Sequence, residues 1–179
     1  MHDQVLPAVM PRAALKRWLA VVAAVVLLDQ LSKLWVLHTL PYAAQIEVTG
    51  FFDIVHVHNP GAAFSFLAGA DGWQRWLFVV LALLISAYLG RLLARHAAQT
   101  AFAAPLALIL AGAIGNLIDR LWLGRVIDFL YFHAGPYGFP AFNVADAGIS
   151  VGVVVILWQQ LRAGPDKAGE GKGEGGQGA

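Results

Sequence analysis

The chain has 179 residues, of which 59% are hydrophobic and 13% are charged, and its formal net charge is +1 at pH 7. Soluble domains are typically about 45–50% apolar and about 25% charged, so this composition indicates a membrane protein. The low net charge and the lack of a basic stripe argue against nucleic acid as a partner. The sequence has no cysteine, which excludes disulfides, a thiol nucleophile and thiolate metal ligands.

Long apolar segments divide the chain into predicted transmembrane helices. A helix needs about 20 mainly apolar residues to cross the hydrocarbon core. We therefore predict one integral-membrane domain over residues 16–162, preceded by a flexible cytoplasmic tail (1–15) and followed by a Gly-rich, disordered cytoplasmic tail (163–179). The predicted spans are 18–40, 76–93, 101–118 and 144–161.

The segment between the first two spans has a different pattern. In residues 46–66, β-branched and aromatic residues alternate roughly with polar ones, and Gly50 and a turn at 59–61 interrupt them. This pattern predicts short strands. The expected fold is therefore an all-α membrane protein, a four-helix transmembrane bundle with a small extracytoplasmic β-sheet between helices 1 and 2. His56 and His58 share a face of one strand, but no third ligand lies near them, so we expect neither a metal nor a cofactor.

Lysine and arginine near the spans predict the orientation of the bundle. Cytoplasmic loops carry an excess of these residues. One side of the membrane would hold Arg75, Arg120 and Arg125, and the predicted sheet lies on that side. The side expected to be cytoplasmic, which includes both termini, would hold Arg12, Lys16, Arg17, Arg91, Arg95, Arg162, Lys167 and Lys172.

Two aspartates stand at the edge of apolar segments beyond the third span. Asp128 has only apolar neighbours, and Asp146 lies one turn into the fourth span, three residues after Asn143. Two carboxyl groups in such unlike surroundings can share one proton, as aspartic peptidases require. Each also has a structural interpretation. Asp146 fits the third position of a helix capped by Asn143, and Asp128 fits an ion pair with Arg120 or Arg125.

Other polar groups lie within the apolar spans, where an unpaired one is costly. Asn116 shares a helix face with Asp119 and Arg120, which suggests either a capped helix end with a salt bridge or a group that orients a carboxylate. Asp29 and Lys33 are spaced as an i, i+4 pair near the middle of the membrane. They suggest a structural ion pair or, alternatively, part of a proton path.

Five segments, in this order, resemble those of the bacterial lipoprotein signal peptidase family, also called type II signal peptidases. Any one of them is a weak signal, whereas all five in order on a four-span chain are specific. The resemblance covers about residues 18–161. The matching segments are 29–33, 59–65, 115–120, 125–129 and 142–147.

The resemblance implies an intramembrane aspartic endopeptidase of the bacterial cytoplasmic (inner) membrane, with Asp128 and Asp146 as its catalytic pair near the outer leaflet. Its substrate would be a prolipoprotein signal peptide, cut just before a cysteine that carries a diacylglyceryl thioether, and the antibiotic globomycin would be an inhibitor. We expect a monomer in contact with membrane lipid. The implied substrate-binding residues are Asn59, Gly61, Asn116, Arg120 and Asn143, and the supporting residues are Asp29, Lys33 and Asp119.

In the expected mechanism, one carboxylate activates water and the other protonates the scissile carbonyl, with Asp128 holding the shared proton at rest. Residues 130–140 are expected to form a flexible cover over the site. Two other classes of function are open at this stage. One is a small transporter or channel component with a proton path through Asp29, Lys33 and Asp119. The other is a scaffold that binds partner helices through Gly148 and Gly152, a small-xxx-small pair.

Overall fold

The structure, a computed structural model, describes residues 12–61 and 73–163. Within these ranges, four helices are long and apolar enough to cross a membrane, which confirms the predicted bundle. The first helix begins at Arg12, so residues 12–15 are helical rather than part of a tail. The rest of both predicted tails lies outside the described residues. The helices are α1 (Arg12–Thr39), α2 (Trp73–His96), α3 (Thr100–Trp122) and α4 (Val144–Ala163).

A four-stranded antiparallel sheet lies at one end of the bundle, with strand order β1-β2-β3-β4. As predicted, its first two strands come between α1 and α2. The other two come from the connection between α3 and α4, where the sequence predicted only a loop. The strands are β1 (Gln45–Thr49), β2 (Phe52–Asn59), β3 (Val126–Ala134) and β4 (Tyr137–Gly138).

Strand β3 was missed because its apolar residues do not alternate with polar ones. The first four residues of the strand are all buried, so a period of two is absent there. Its partner β2 is about 70 residues earlier in the chain, with Phe52 opposite Phe132 and Val57 opposite Asp128. Most of the predicted flexible cover over 130–140 is instead a hairpin formed by the end of β3 and β4.

The ends of the helices are tied together opposite the sheet. The indole Nε1 of Trp18 in α1 donates a hydrogen bond to Ala97 O, 3.0 Å away, in the turn between α2 and α3. The side chain of Gln159 in α4 donates to Ala101 O at 2.8 Å. The beginning of α1 and the end of α4 therefore lie at the same end of the bundle, and the sheet lies at the other end.

Glycines allow α3 and α4 to pack closely. A Cβ atom at Gly152 would lie 2.7 Å from Pro105 O, and one at Gly148 would lie 3.3 Å from Leu108 O. Both acceptor atoms belong to the backbone of α3, so the space cannot easily be enlarged. The small-xxx-small pair is therefore used within the chain, which leaves the scaffold interpretation without its binding face.

Candidate active site

The two aspartates meet where the sheet joins the bundle. Asp128 is the third residue of β3, and Asp146 lies in the first turn of α4. Both line a cavity of about 560 Å³, together with Asn59 and Ser150. A strand and a helix thus bring the two predicted catalytic side chains to one cavity.

Asp128 is held by two side-chain amides. Asn59 Nδ2 donates to its Oδ2 at 3.1 Å, and Asn143 Nδ2 donates to its Oδ1 at 2.7 Å. In the part of the chain that the structure describes, neither Arg120 nor Arg125 forms an ion pair with Asp128, so that structural interpretation is wrong. An amide donor leaves the carboxyl group free to exist in either protonation state, which an ion pair with arginine would not.

The protonation of Asp128 follows from its surroundings. Burial, and after it the negative charge of Asp146, raises the pKa of Asp128 to about 7, although the amides of Asn59 and Asn143 and the charge of Lys33 oppose the rise. Only 3% of the Asp128 surface is exposed, so the loss of hydration is the dominant cause. A carboxyl group of this kind exchanges a proton near neutral pH, as an acid catalyst must.

Asp146 has two roles in the local structure. Its backbone N–H donates to Asn143 Oδ1 at 2.9 Å, and its Oδ2 accepts from the Asn143 N–H at 3.3 Å. This reciprocal pair is a capping box at the start of α4, as the structural interpretation predicted. The other oxygen, Oδ1, accepts a hydrogen bond from Asn116 Nδ2 at 2.7 Å. The cap therefore occupies only one oxygen and fixes the direction of the other.

Asn143 connects the two aspartates directly. It is fully buried, its side chain donates to Asp128, and its backbone donates to Asp146. Because a single residue contacts both carboxyl groups, their separation is set by the conformation of that residue. This confirms neither catalytic role by itself, but it is the arrangement that a cooperating pair needs.

The orientation of the Asn59 amide is fixed by the turn that follows β2. The Gly61 N–H donates to Asn59 Oδ1 at 2.9 Å, so the Nδ2 atom must be the one that faces Asp128. Gly61 has a φ of 101°, which side chains rarely tolerate. A Cβ atom there would also lie 2.6 Å from Phe78 Cδ2. Gly61 thus contributes backbone shape rather than a side chain to the site.

Arg120 lies on the other side of Asp146. Its guanidinium is 5.2 Å from the centre of the Phe78 ring, and it donates to Asn116 O at 3.2 Å. Arg120, Asn116, Phe78 and Asp146 line a second cavity, of about 350 Å³. Phe78 could not be selected from the sequence, because one aromatic residue in an apolar helix has no distinguishing pattern.

Helical spacing predicted that the side chain of Asn116 would meet Asp119. It turns towards α1 instead. Lys33 Nζ donates to Asn116 Oδ1 at 3.1 Å. Since an ammonium group can only donate, this contact requires the oxygen of Asn116 to face Lys33. The nitrogen must then face Asp146.

Lys33 is almost fully buried, with 2% of its surface exposed. Besides Asn116, its Nζ contacts Asp29 Oδ2 at 2.8 Å and Asp119 Oδ2 at 2.9 Å. The three protons of the ammonium group therefore have three acceptors. Asp29, Lys33 and Asp119, predicted as supporting residues, form one buried cluster next to the two predicted catalytic aspartates.

Gln30 is a polar member of this cluster that the sequence analysis left without a role. Its Nε2 lies 3.1 Å from Asp29 Oδ2 and 2.9 Å from Asp119 Oδ1. Its position one residue after Asp29, within an apolar span, was the available signal. A polar residue there needs partners as much as Asp29 does.

His56 and His58 do lie together, with their Nε2 atoms 3.1 Å apart. His56 Nδ1 is 2.8 Å from Leu40 O, and burial, Arg125 and His56 lower the pKa of His58. Among residues 12–61 and 73–163, no group of three or more potential metal ligands occurs. The expected lack of a metal stays a prediction.

Comparison with known proteins gives a consistent result. The family profile described as signal peptidase (SPase) II matches residues 21–162. A lipoprotein signal peptidase of Azoarcus sp. (strain BH72) is 56% identical over 154 residues, which cover 86% of this chain and 88% of that protein. The lipoprotein signal peptidase of Burkholderia vietnamiensis (strain G4 / LMG 22486) is 52% identical over 149 residues, or 83% of this chain and 90% of that protein.

Two solved structures have a similar fold. Both are described as bacterial membrane enzymes whose structures were obtained by the in meso method. The one at 2.3 Å resolution superposes with a TM-score of 0.75 and 29% identity, and the match covers 88% of this chain and 95% of that one. The one at 1.9 Å resolution gives a TM-score of 0.73 and 30% identity, with 82% and 94% covered.

Proposed function

The chain belongs to the signal peptidase II family and is a multi-pass bacterial membrane protease that removes signal peptides from prolipoproteins. From this premise we propose that it is an aspartic peptidase whose catalytic pair is Asp128 and Asp146. The observation that carries the proposal is the contact of Asn143 with both carboxyl groups. We further propose that the substrate cysteine carries a diacylglyceryl group and that a monomer, in contact with membrane lipid, suffices for activity.

The surroundings of the two aspartates suggest how the chemistry is divided. Asp128, whose pKa is about 7, holds the shared proton and gives it to the scissile carbonyl oxygen. Asp146, at the positive end of a helix, is ionised and takes a proton from the attacking water. The water oxygen then bonds to the carbonyl carbon. Asp146 gives its proton to the amide nitrogen, the C–N bond breaks with loss of the amine, and a hydroxyl of the intermediate returns a proton to Asp128. The pair titrates as a unit.

Asp146 lies between the two cavities, so an extended peptide across it would have room on both sides. The cavity next to Phe78 and Arg120 lies among membrane-spanning helices, and the other lies beneath the β3–α4 connection. Asn59, Asn116 and Asn143 orient the carboxyl groups through the hydrogen bonds described above. Arg120, above Phe78 and beside Asp146, is positioned to contact the peptide backbone.

We propose that this site lies near the outer leaflet and that both termini are cytoplasmic. The excess of lysine and arginine occurs at the end of the bundle opposite the sheet, as cytoplasmic loops require. Exposed tryptophans lie at the sheet end, where Trp73, Trp76 and Trp122 are each more than half exposed. Aromatic residues of this kind are enriched at membrane–water interfaces.

The transporter alternative is not favoured. A proton path through Asp29, Lys33 and Asp119 needs further groups that exchange protons and lead to water on both sides of the membrane. Instead, each ammonium proton of Lys33 has an acceptor on Asp29, Asn116 or Asp119, and at most 3% of the side chain of Asp29, Lys33 or Asp119 is exposed. The cluster is therefore shielded from water.

One assay tests the proposal directly. The purified full chain in detergent is given a synthetic prolipoprotein peptide with a diacylglyceryl cysteine, and mass spectrometry is used to detect a product with an amino-terminal cysteine. Cleavage of this peptide, but not of the same peptide with an unmodified cysteine, is expected. Equal cleavage of both peptides would overturn the proposed lipid requirement.

Substitutions then test the catalytic pair. Asp128→Asn and Asp146→Asn should each reduce turnover by more than a hundredfold while the variants still bind globomycin. Glu47→Gln, at an exposed position in β1, is the matched control and should retain full activity. If either aspartate variant keeps a tenth of wild-type activity, the assignment is wrong. Proton flux into liposomes without peptide would instead support the transporter.

A further inference from the structure

Two backbone amides next to the catalytic aspartates are held by the supporting residues. The Ala145 N–H donates to Asp29 Oδ1 at 2.8 Å, and the Ile127 N–H donates to Asp119 Oδ2 at 3.2 Å. Each amide belongs to the residue immediately before a catalytic aspartate, Ala145 before Asp146 and Ile127 before Asp128. The two contacts cannot be read from the sequence, because they join residues on different elements.

Lys33 joins the two carboxylates that make these contacts. Its Nζ lies 2.8 Å from Asp29 and 2.9 Å from Asp119, so a single ammonium group fixes the distance between them. A continuous chain of short contacts thus runs from the peptide before Asp146 to the peptide before Asp128. We call Asp29, Lys33 and Asp119 the buried brace.

We propose that the buried brace sets the position of Asp128 relative to Asp146, with Asp29, Lys33 and Asp119 as positioning residues. The proposal rests on the catalytic roles proposed above. It assigns each carboxylate of the brace to one catalytic aspartate, Asp29 to Asp146 and Asp119 to Asp128. Lys33 then links the two halves of the site by contacting both carboxylates.

A glycine in α3 leaves the space that the buried brace occupies. A Cβ atom at Gly115 would lie 2.6 Å from Asp29 Oδ2 and 3.2 Å from Ala145 Cβ. Gly115 therefore leaves the space in which Asp29 reaches the start of α4. An alanine there would displace Asp29 without changing any charge.

Stability alone is a weak explanation for the brace. Desolvating two carboxylates and an ammonium costs about as much as their attraction returns, so buried ion clusters often add little to stability. Geometry is a better explanation, since displacement of a catalytic group by about 1 Å can lower the rate by about a hundredfold. Lys33 also favours the ionised form of Asp128 through its charge.

Hydrogen exchange tests the contacts without any assay of cleavage. The second residue of a helix has no intrahelical acceptor for its N–H, so the protection of the Ala145 amide depends on Asp29. Asp29→Ala should speed exchange at Ala145 at least tenfold and leave Ile127 unchanged, and Asp119→Ala should do the reverse. Lys33→Met should speed exchange at both. Unchanged exchange at both amides in all three variants would overturn the brace.

Kinetics test whether the brace positions the catalytic pair. Gly115→Ala should lower kcat about a hundredfold per folded molecule, with KM within threefold of wild type. Gly90→Ala in α2, where a Cβ meets no atom within 4 Å, is the matched control and should leave both constants unchanged. Because Gly115→Ala keeps every charge, it remains informative if Lys33→Met does not fold.

The pH dependence of kcat separates the effect of the Lys33 charge from the effect of the geometry of the buried brace. Lys33→Met should move the upper pH limit of kcat to higher pH, because the charge that favours ionised Asp128 is lost. Gly115→Ala should lower kcat without moving that limit. A loss of activity in Gly115→Ala that matches the loss of folded protein would overturn the positioning role. Failure of the wild-type chain to cleave any prolipoprotein peptide would instead refute the proposed function, and the exchange result would still stand.

Discussion

The raised pKa of Asp128 predicts a pH-dependent difference in stability between the wild-type chain and Asp128→Asn. The folded pKa of about 7 lies above the ordinary aspartate pKa of 3.8, so the folded state binds more protons than the unfolded state between these limits. The contribution of Asp128 is therefore complete below about pH 4 and is lost as pH rises through about 7. At about 1.4 kcal/mol per pH unit, the loss is at most about 4 kcal/mol.

Asparagine at position 128 does not titrate, so the variant should escape this loss. Thermal unfolding in detergent, followed by tryptophan fluorescence at pH 4.5 and pH 8, measures both proteins. The Tm of the variant relative to wild type should rise between the two pH values by on the order of 10 °C, since about 1 kcal/mol corresponds to about 2–4 °C at this size. Comparing two pH values cancels any fixed effect of the altered hydrogen bonds to Asn59 and Asn143.

Glu47→Gln is the control for this measurement, because Glu47 is exposed in β1 and its replacement should give a difference that does not change with pH. The reasoning is refuted if Asp128→Asn differs from wild type by the same Tm at both pH values. Such a result would mean that Asp128 has an ordinary pKa in the folded protein, and the division of roles within the catalytic pair would lose its support.

Three further substitutions separate the parts of the site. Gly61→Ala should lower kcat/KM at least tenfold in the peptide assay, because the new Cβ meets Phe78 and φ is 101°. Asn143→Ser keeps a good N-cap but loses the amide that donates to Asp128, so kcat should fall at least a hundredfold while the circular dichroism of the helices is unchanged. Gly152→Ala should lower the Tm by several degrees, as a Cβ there lies 2.7 Å from Pro105 O in the backbone of α3.

The sequence was sufficient to predict the bundle because transmembrane helices satisfy their own backbone hydrogen bonds and need only length and apolarity. It did not predict β3, whose hydrogen-bonding partner β2 is distant in the chain. The turn-forming residues at 135–140 made the whole connection resemble a loop, although it contains β3 and, after a turn, the short strand β4. A strand of buried residues next to such a turn has no local signal that separates it from a short apolar loop.

The candidate site, like the fold, was predicted in part. The unlike neighbours of Asp128 and Asp146 made them candidates, the resemblance to the family implied their catalytic role, and the structure brings both to one cavity. Arg120 does contact Asn116, as predicted, and the Asn116 side chain orients a carboxylate, that of Asp146. Its predicted meeting with Asp119 was wrong, because i, i+3 spacing gives the face of a helix but not the direction of a side chain. That direction depends on Lys33, a residue 83 positions away. Contacts between elements decide which of two neighbouring polar groups a side chain meets.

The position of Asn143 explains why the capping and catalytic interpretations of Asp146 were hard to separate. The helix begins at the residue whose amide also donates to Asp128, so the start of α4 and the geometry of the pair cannot vary independently. A capping box uses one oxygen of its acidic side chain, and here Asn116 holds the second oxygen at 2.7 Å. The capping box fixes one oxygen of Asp146 and Asn116 orients the other. Together they hold this half-buried carboxylate in a single orientation. In this chain, a common helix-starting motif is therefore part of the proposed catalytic geometry, and its structural role is the reason that the geometry is rigid.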